Sequence, residues 1–283
     1  LAKKNIIITG SDGLIGRELF LELRKKGNIK TYDLKRGYDL TDFNTCMKIC
    51  KGADEVYHLA GIKGNPKRTK EQPVDFMGPM LRFDTNMILA AQKCKVKKFL
   101  YTSSIAVLNP EMDKYPAWAK KTGEMLCEAM MIQYPKGTKY CVIRPANVYG
   151  RYDDLKAEHL MVVSNLIKKV LQSKGEIEVW GDGTNIRDFI CSKDVAKAMV
   201  KTMKLMPKET INCGSGEGHT VNEIIGALWK VAKFGVRYDT TKPTGDKIRL
   251  MPTNLELINF KPKTKFSKEI QEIYKWKQKS FHP

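Results

Sequence analysis

In the stretch DKYPAWAKKTGE, residues 113–124, a phenol and an ammonium lie close together as Tyr115 and Lys120. A positioned phenol gives or takes a proton, and a cation beside it makes it a stronger acid. Such a pair suits proton exchange with a hydroxyl or a carbonyl. The spacing is awkward. Each helical residue turns by about 100°, which would set these two side chains about 140° apart. Proline is favoured at the first helical position, so Pro116 is expected to open the helix and leave Tyr115 just outside it, free to swing toward Lys120. The alternative is a tyrosine that only packs at a helix start. Upstream, YTSS ends in Ser103 and Ser104, whose hydroxyls, taken by themselves, read as groups that tie down a strand end.

A second constellation suits phosphate. TGSDGLIG follows the apolar run NIIIT and puts Gly10, Gly13 and Gly16 at the start of a helical pattern. Gly10 permits a tight turn, Gly13 lets the backbone approach a pyrophosphate, and Gly16 packs helix on strand. Asp12, Leu14 and Ile15 lie between them, where free N–H groups and the helix dipole face the phosphates. Asp33 closes the next strand and can accept both hydroxyls of an adenine ribose, which favours NAD. Lys35 and Arg36 follow it and could offset its repulsion of an extra phosphate, so NADP stays open. In YDLTD, Asp39 and Leu40 are placed to approach the adenine, unless Asp39 caps the following helix.

The elements that must position these groups alternate. NIIIT, IKTYD, EVYHLAG, KKFLYTSS and YCVIRPANVYG read as strands. Between them lie helical patterns in IGRELFLELRKKG, about 42–51, MLRFDTNMILAAQKCK and PAWAKKTGEMLCEAMMIQY. This α/β alternation predicts a doubly wound parallel sheet covered on both faces. After Gly150 it loosens into segments rich in Gly, Pro and Lys, which predicts a second, smaller region.

Bulk composition narrows the partners. Over 283 residues, 50 Lys+Arg against 31 Asp+Glu leave a charge of +19, which favours nucleic acid, anionic lipid or phosphorylated small molecules. The Lys-rich tail around KPKTKFSKE and KWKQKS stands out, but spread lysines mostly form a solvated surface. No RNA module or aromatic-basic motif accompanies the charge, so nucleic acid is not the expected partner. No apolar run approaches the ~18 residues of a membrane span, so no membrane is expected. The first strand begins by Asn5, leaving no room for a signal peptide. The seven cysteines form no CxxC pair and no cluster with the four histidines. No metal is therefore expected, and a reduced, cytoplasmic protein is.

Six ordered motifs between residue 5 and about 225 tie these pieces together. TGSDGLIG resembles a TGxxGxxG turn, YHLAG an HLAA-like strand, YTSS a catalytic serine strand and RPANVYG the segment RPxNVYG. GDGTNIRDFICSKDVAKA resembles GDGxxxRDFxxVxDVAxA, and INCGSGEGHTVNEI resembles NxGxG…S/T…E, with a fainter echo in KPTGDKIR. In these motifs the chain resembles the extended short-chain dehydrogenase/reductases, the NAD-dependent epimerase/dehydratase family acting on nucleotide sugars.

The resemblance implies a Rossmann-type domain from about 1 to 150, rejoined near 185–207. A smaller substrate domain would come from about 151–184 and 208–283, with the site in the cleft between them. It implies a tyrosine that exchanges a proton with a sugar oxygen while NAD(P) exchanges a hydride with the same carbon. WAKKTGE matches the family's WAKxxGE, making Lys120 the motif lysine that holds the nicotinamide ribose, with Lys121 a solvated neighbour. The family spacing wants tyrosine at 116, where this chain has Pro116, so Tyr115 is the acid/base candidate. Registering VLNP on the family's turn puts the working serine at Ser104, which also touches substrate, with Ser103 as fallback. Leu59, Ala60, Gly61 and Pro145 would border the cofactor. Asn147, Arg187 and, in the fainter region, Arg249 would contact the nucleotide diphosphate. Trp180 would stack on the base or fill the second core. A homodimer through the helices at about 80–95 and 116–133 is also implied.

Elimination narrows the reaction. The dehydratases carry an Asp-Glu pair after the catalytic hydroxyl, where this chain has Ile105 and Ala106, and the decarboxylases' glutamate is missing as well. Fucose synthases, which also epimerise at C3 and C5, use a cysteine and a histidine at positions held here by Ile105 and Met161, with His159 two residues off. Redox at one sugar carbon, C4, remains. Asp33 tilts the choice toward a 4-epimerase with bound NAD, and a 4-keto reductase is the alternative. A catalytically idle or RNA-binding relative is the alternative of another class.

Overall fold

Three consecutive isoleucines make β1 (Asn5–Thr9) a strand buried on both faces, with Ile6 and Ile8 on one side and Ile7 on the other. The structure, a computed structural model, describes residues 3–62, 69, 71–111, 113–157, 160–242 and 247–280. Parallel to β1 run β2 (Asn28–Tyr32), β3 (Glu55–His58), β4 (Lys98–Thr102), β5 (Lys139–Pro145) and β9 (Ile211–Cys213). Their order is β2-β1-β3-β4-β5-β9. It reverses direction at β1, beside β3, and a doubly wound sheet binds ligands in the crevice at such a point.

Helices cover both faces, as the alternation predicts. On one, α1 (Leu14–Leu23) and α6 (Ser192–Leu205) lay Leu19, Leu23, Val195 and Met199 on Ile6, Ile8, Leu100 and Ile143. On the other, α2 (Phe43–Cys50), α3 (Pro73–Lys93) and α4 (Lys114–Gln133) bring Ile49, Phe83, Met87 and Cys127 against Ile7, Val56 and Phe99. Burying a side chain of this size contributes about 1.5–3 kcal/mol, so these two layers stabilise the sheet whose edge forms the crevice.

At Ala146 the chain leaves the main sheet. It enters β6 (Asn147–Tyr149), which pairs with β8 (Ile186–Cys191). β8 is the centre of a second sheet, flanked by antiparallel β10 (Gly218–Thr220) and parallel β12 (Ile248–Arg249). A separate parallel pair joins β7 (Glu176–Trp180) to β11 (Gly235–Asp239). α6 and β9 return the chain to the main sheet, whereas β8 stays in the second.

A third core forms where α5 (Val162–Gln172), α7 (Val221–Trp229) and α8 (Phe266–Ser280) enclose Val163, Ile167, Ile177, Phe189, Leu228 and Ile273. The Lys-rich tail takes part in this core. It carries α8, which buries Ile270, Ile273 and Tyr274 at helical spacing while its lysines face outward. Among the described residues no helix is long and apolar enough to cross a membrane, and no cluster of three His, Cys, Asp or Glu could hold a metal ion.

Candidate active site

The glycine turn sits at the crevice between β1 and β3. Gly10 has φ +68°, and its N–H donates to the Tyr32 carbonyl at 2.9 Å. A Cβ there would lie 2.7 Å from the Ala60 nitrogen, and one on Gly16 would lie 2.3 Å from the Gly10 carbonyl oxygen. Gly13 occupies the cap position of α1, so no side chain caps that helix. The first-turn N–H groups around Leu14, Ile15 and Gly16 keep their capacity for an anion. The residues present thus fit a dinucleotide: a tight turn, an uncapped helix start, and Leu59, Ala60 and Gly61 leading out of β3 beside the turn.

Asp33 follows β2 with each carboxylate oxygen on a backbone amide, Oδ2 on Asp12 N and Oδ1 on Lys35 N, both at 3.0 Å. Each oxygen retains a second lone pair, which a ribose hydroxyl can use. Arg36 folds across the turn. Its Nε is 3.1 Å from Asp12 Oδ2, and its amino groups donate to Thr31 Oγ1 and Ser11 Oγ. Lys35 reaches Asp154 at 3.4 Å. Asp39 does not cap α2. It accepts from Thr41 N and Oγ1 at 2.8 Å, and Asp42 caps the helix instead. Leu40 is buried, its carbonyl held by Asn86 Nδ2 at 3.0 Å, which fixes the loop between β2 and α2.

Two serines at the end of β4 separate cleanly. Ser103 is buried and donates to Glu124 Oε1 at 2.6 Å, and Glu124 is clamped by Arg144 at 2.6 and 2.5 Å. Its hydroxyl is committed to structure. Ser104 is half-buried and accepts from Ala106 N at 3.2 Å, which leaves its proton for a ligand. Ile105, which follows it, is buried and can transfer no proton.

The expected helix start at Pro116 is corrected by the structure. α4 begins at Lys114, Tyr115 is its second residue and Pro116 its third. Its first intrahelical bond runs from Ala117 N to Asp113 O at 2.9 Å, so a proline at 116 forfeits no hydrogen bond. Tyr115 is consequently held to helical geometry, about 140° around the axis from Lys120. The two side chains leave on different faces. Tyr115 is 37% exposed, and among the described residues its phenol has no hydrogen-bond partner; Lys120 is 7% exposed, with Nζ 3.1 Å from Asp84 Oδ2.

In the second sheet, Arg187 and Arg249 are register partners on β8 and β12 and project from one face. Arg249 Nη1 reaches across to Asp113 Oδ2 at 2.7 Å, and its buried Nη2 has no hydrogen-bond partner among the described residues. Arg187 Nη1 donates to the Ile186 carbonyl at 2.8 Å, while Asp188 takes Ser215 N and Oγ at 2.8 and 2.7 Å. Asn147 Nδ2 donates to the Asp188 carbonyl at 2.8 Å, tying β6 to β8, and Pro145 sits where the chain changes sheets. Trp180 is 53% exposed, so it does not fill the second core. Met161 precedes α5, and His159 lies outside the described residues.

Four residues went unnoticed in the sequence: Asp84, Tyr101, Asp113 and Glu124. Only Asp84 gave a local signal, a carboxylate on the stripe Met80, Phe83, Met87, Ile88 that α3 buries.

Comparison with known proteins agrees with this geometry. The family model described as the NAD dependent epimerase/dehydratase family matches residues 6–214. GDP-L-fucose synthase of Escherichia coli is 26% identical over 318 residues, covering 98% of this chain and 97% of that protein. The structure of a UDP-N-acetylglucosamine 4-epimerase from Methanobrevibacter ruminantium superposes with a TM-score of 0.88 at 25% identity, covering 99% of this chain and 100% of the other. A GDP-6-OMe-4-keto-L-xylo-heptose reductase from C. jejuni has the same fold, with a TM-score of 0.88 at 21% identity and 99% of each chain covered. With the glycine turn, the serine strand and the lysine helix assembled around one crevice, the chain belongs to the NAD dependent epimerase/dehydratase family and carries out NAD(P)-dependent epimerase/reductase chemistry on nucleotide sugars.

Proposed function

We propose that the reaction is hydride exchange at a single carbon, C4, of a nucleoside diphosphate sugar. The observation that carries this is the Arg249–Asp113 ion pair, which sets the arginine row of β8 and β12 against the start of the helix bearing Tyr115 and Lys120. A diphosphate held by Arg187 and Arg249 would place its sugar toward that helix and Ser104. Arginine suits this task because its planar fork donates two hydrogen bonds to one phosphate.

NAD(P), when bound on the glycine turn, Asp33 and Lys120, supplies the hydride acceptor or donor. The chain's own groups do the rest. The acid/base assigned to the C4 oxygen is the Tyr115 phenol, exposed and uncommitted, which leaves α4 on a different face from Lys120 and so acts apart from that ammonium. Ser104 donates its free hydroxyl hydrogen to the same oxygen and holds it in place. Buried Ile105 in the following turn offers no proton for C3 or C5, which confines the chemistry to C4.

Asp33 at the end of β2 favours tightly held NAD and therefore 4-epimerisation. A second reading, reduction of a 4-keto sugar, is favoured by Arg36, whose guanidinium beside Ser11 and Asp12 could meet the extra phosphate of NADPH.

Calorimetry with GDP- and UDP-hexoses tests the substrate side. Losing a charge-assisted hydrogen bond costs about 1.5–3 kcal/mol, so Arg249→Ala and Arg187→Ala should each weaken nucleotide-sugar binding by about 10- to 100-fold. NAD(P) affinity should not change. Unchanged sugar-nucleotide affinity in both variants would refute the assignment.

A further inference from the structure

We propose that Asp84 is the positioning residue that fixes Lys120, holding its ammonium in place beside the cofactor crevice. The proposal rests on the reading of Lys120 as the residue that holds the cofactor's ribose. Asp84 is 1% exposed, deep in the layer between α3, α4 and the sheet, where a carboxylate is costly unless its lone pairs are used. They are used. Oδ2 accepts from Tyr101 OH at 2.6 Å and from Lys120 Nζ at 3.1 Å, and Oδ1 accepts from His58 Nε2 at 2.9 Å. His58 Nδ1 in turn faces Thr9 Oγ1 at 2.7 Å. Burial pushes the imidazole below its ordinary range, so it is neutral: Nε2–H donates to Asp84, and Nδ1 accepts from Thr9. Burial pushes the Asp84 carboxyl upward, but the Lys120 charge and the His58 and Tyr101 hydrogen bonds outweigh it and leave Asp84 ionised.

Two further contacts lock the ammonium. Lys120 Nζ lies over the Tyr101 ring, 4.9 Å from its centroid. Gly123, one turn on, leaves the space that the Tyr101 hydroxyl fills, since a Cβ there would lie 2.2 Å from that oxygen. The cluster therefore draws on five segments: β1, β3, β4, α3 and α4.

A purely structural role does not account for it. Apolar side chains of similar volume would stabilise such a layer as well or better. What the polar cluster supplies is one cation of fixed place and charge. The other titratable groups facing Lys120 are His58, Tyr101 and, on its own helix, Cys127 and Glu124. Glu124 is engaged by Arg144 and Ser103, and the Cys127 and Tyr101 protons are held by burial, so among the described residues Asp84 alone supplies the opposing charge.

Binding of NADH and NADPH to the full chain, followed by calorimetry from pH 7 to 9.5, tests this. An enclosed ammonium without a counter-charge is driven toward its neutral form. In Asp84→Asn, cofactor affinity should therefore fall about tenfold as the pH rises over that range. Wild type and Tyr101→Phe, which keep the carboxylate, should both stay about level. A level profile in Asp84→Asn overturns the proposal. Lys120→Met separates the two readings: if it binds cofactor like wild type, the role of Lys120 fails rather than that of Asp84. Should Asp84→Asn not fold, recovery of folding in the double variant with Lys120→Met supports the pairing. Failure of the double variant as well would show that Asp84 serves the fold alone, and would overturn it.

Discussion

The glycine-turn end and the α4 end of this crevice are held by different means. At the glycine turn the constraint is backbone against backbone: Gly10, Gly16 and the Ala60 amide approach so closely that a single added carbon has no room. At the start of α4 the constraint is side chain against side chain. Asp84 holds Lys120, Arg144 holds Glu124, and Asp113 meets Arg249 from 136 residues away. Backbone constraint tolerates almost no substitution but asks little of its neighbours. Side-chain constraint tolerates shape changes and depends on charge, so it should respond to pH where the turn does not.

The sharpest break in that comparison is Gly10→Ala. Its φ of +68° and the 2.7 Å approach to Ala60 N leave the new Cβ in contact with main chain. Cofactor binding should fall below detection by calorimetry, with folding stability down by about 1–3 kcal/mol. Retained tight binding would mean that the turn is looser than its geometry. A smaller effect should come from His58. Its folded value lies below the ordinary 6.5, so the unfolded chain takes up a proton first as the pH drops. The stability it contributes is whole above about pH 6.5 and is lost progressively below it, toward the folded value. Thermal unfolding from pH 8 to 5 should show Tm falling below that point, with a shallower fall in His58→Gln. Equal slopes in the two proteins would remove His58 from the account.

The same contrast explains what was legible in the sequence. The glycine turn, Asp33 and the strands through Tyr149 are local patterns, and NIIIT or TGSDGLIG needs no distant partner to be read. The second sheet is different. β10 has three residues and β12 two, too short for any period, and they exist because β8 pairs with them. α8 was hidden by its lysines, although Ile270, Ile273 and Tyr274 carry the helical spacing. The start of α4 was misplaced because proline is tolerated anywhere in the first turn, not only at its first residue. Asp84 was readable only as an acid on an apolar stripe; its three donors come from strands and a helix that the local pattern does not specify.

Turnover of nucleotide sugars carrying deuterium at C4, followed by NMR of the products, shows which sugar carbon exchanges its hydride. The C4–deuterium bond should break. Deuterium should be recovered either at C4 with inverted configuration, for an epimerase, or on the nicotinamide, for a reductase run in reverse. Tyr115→Phe should slow this exchange by about 100-fold or more, the usual contribution of a positioned acid/base. Product that keeps its original C4 deuterium while solvent hydrogen enters at C3 or C5, or a Tyr115→Phe variant as fast as wild type, would contradict it.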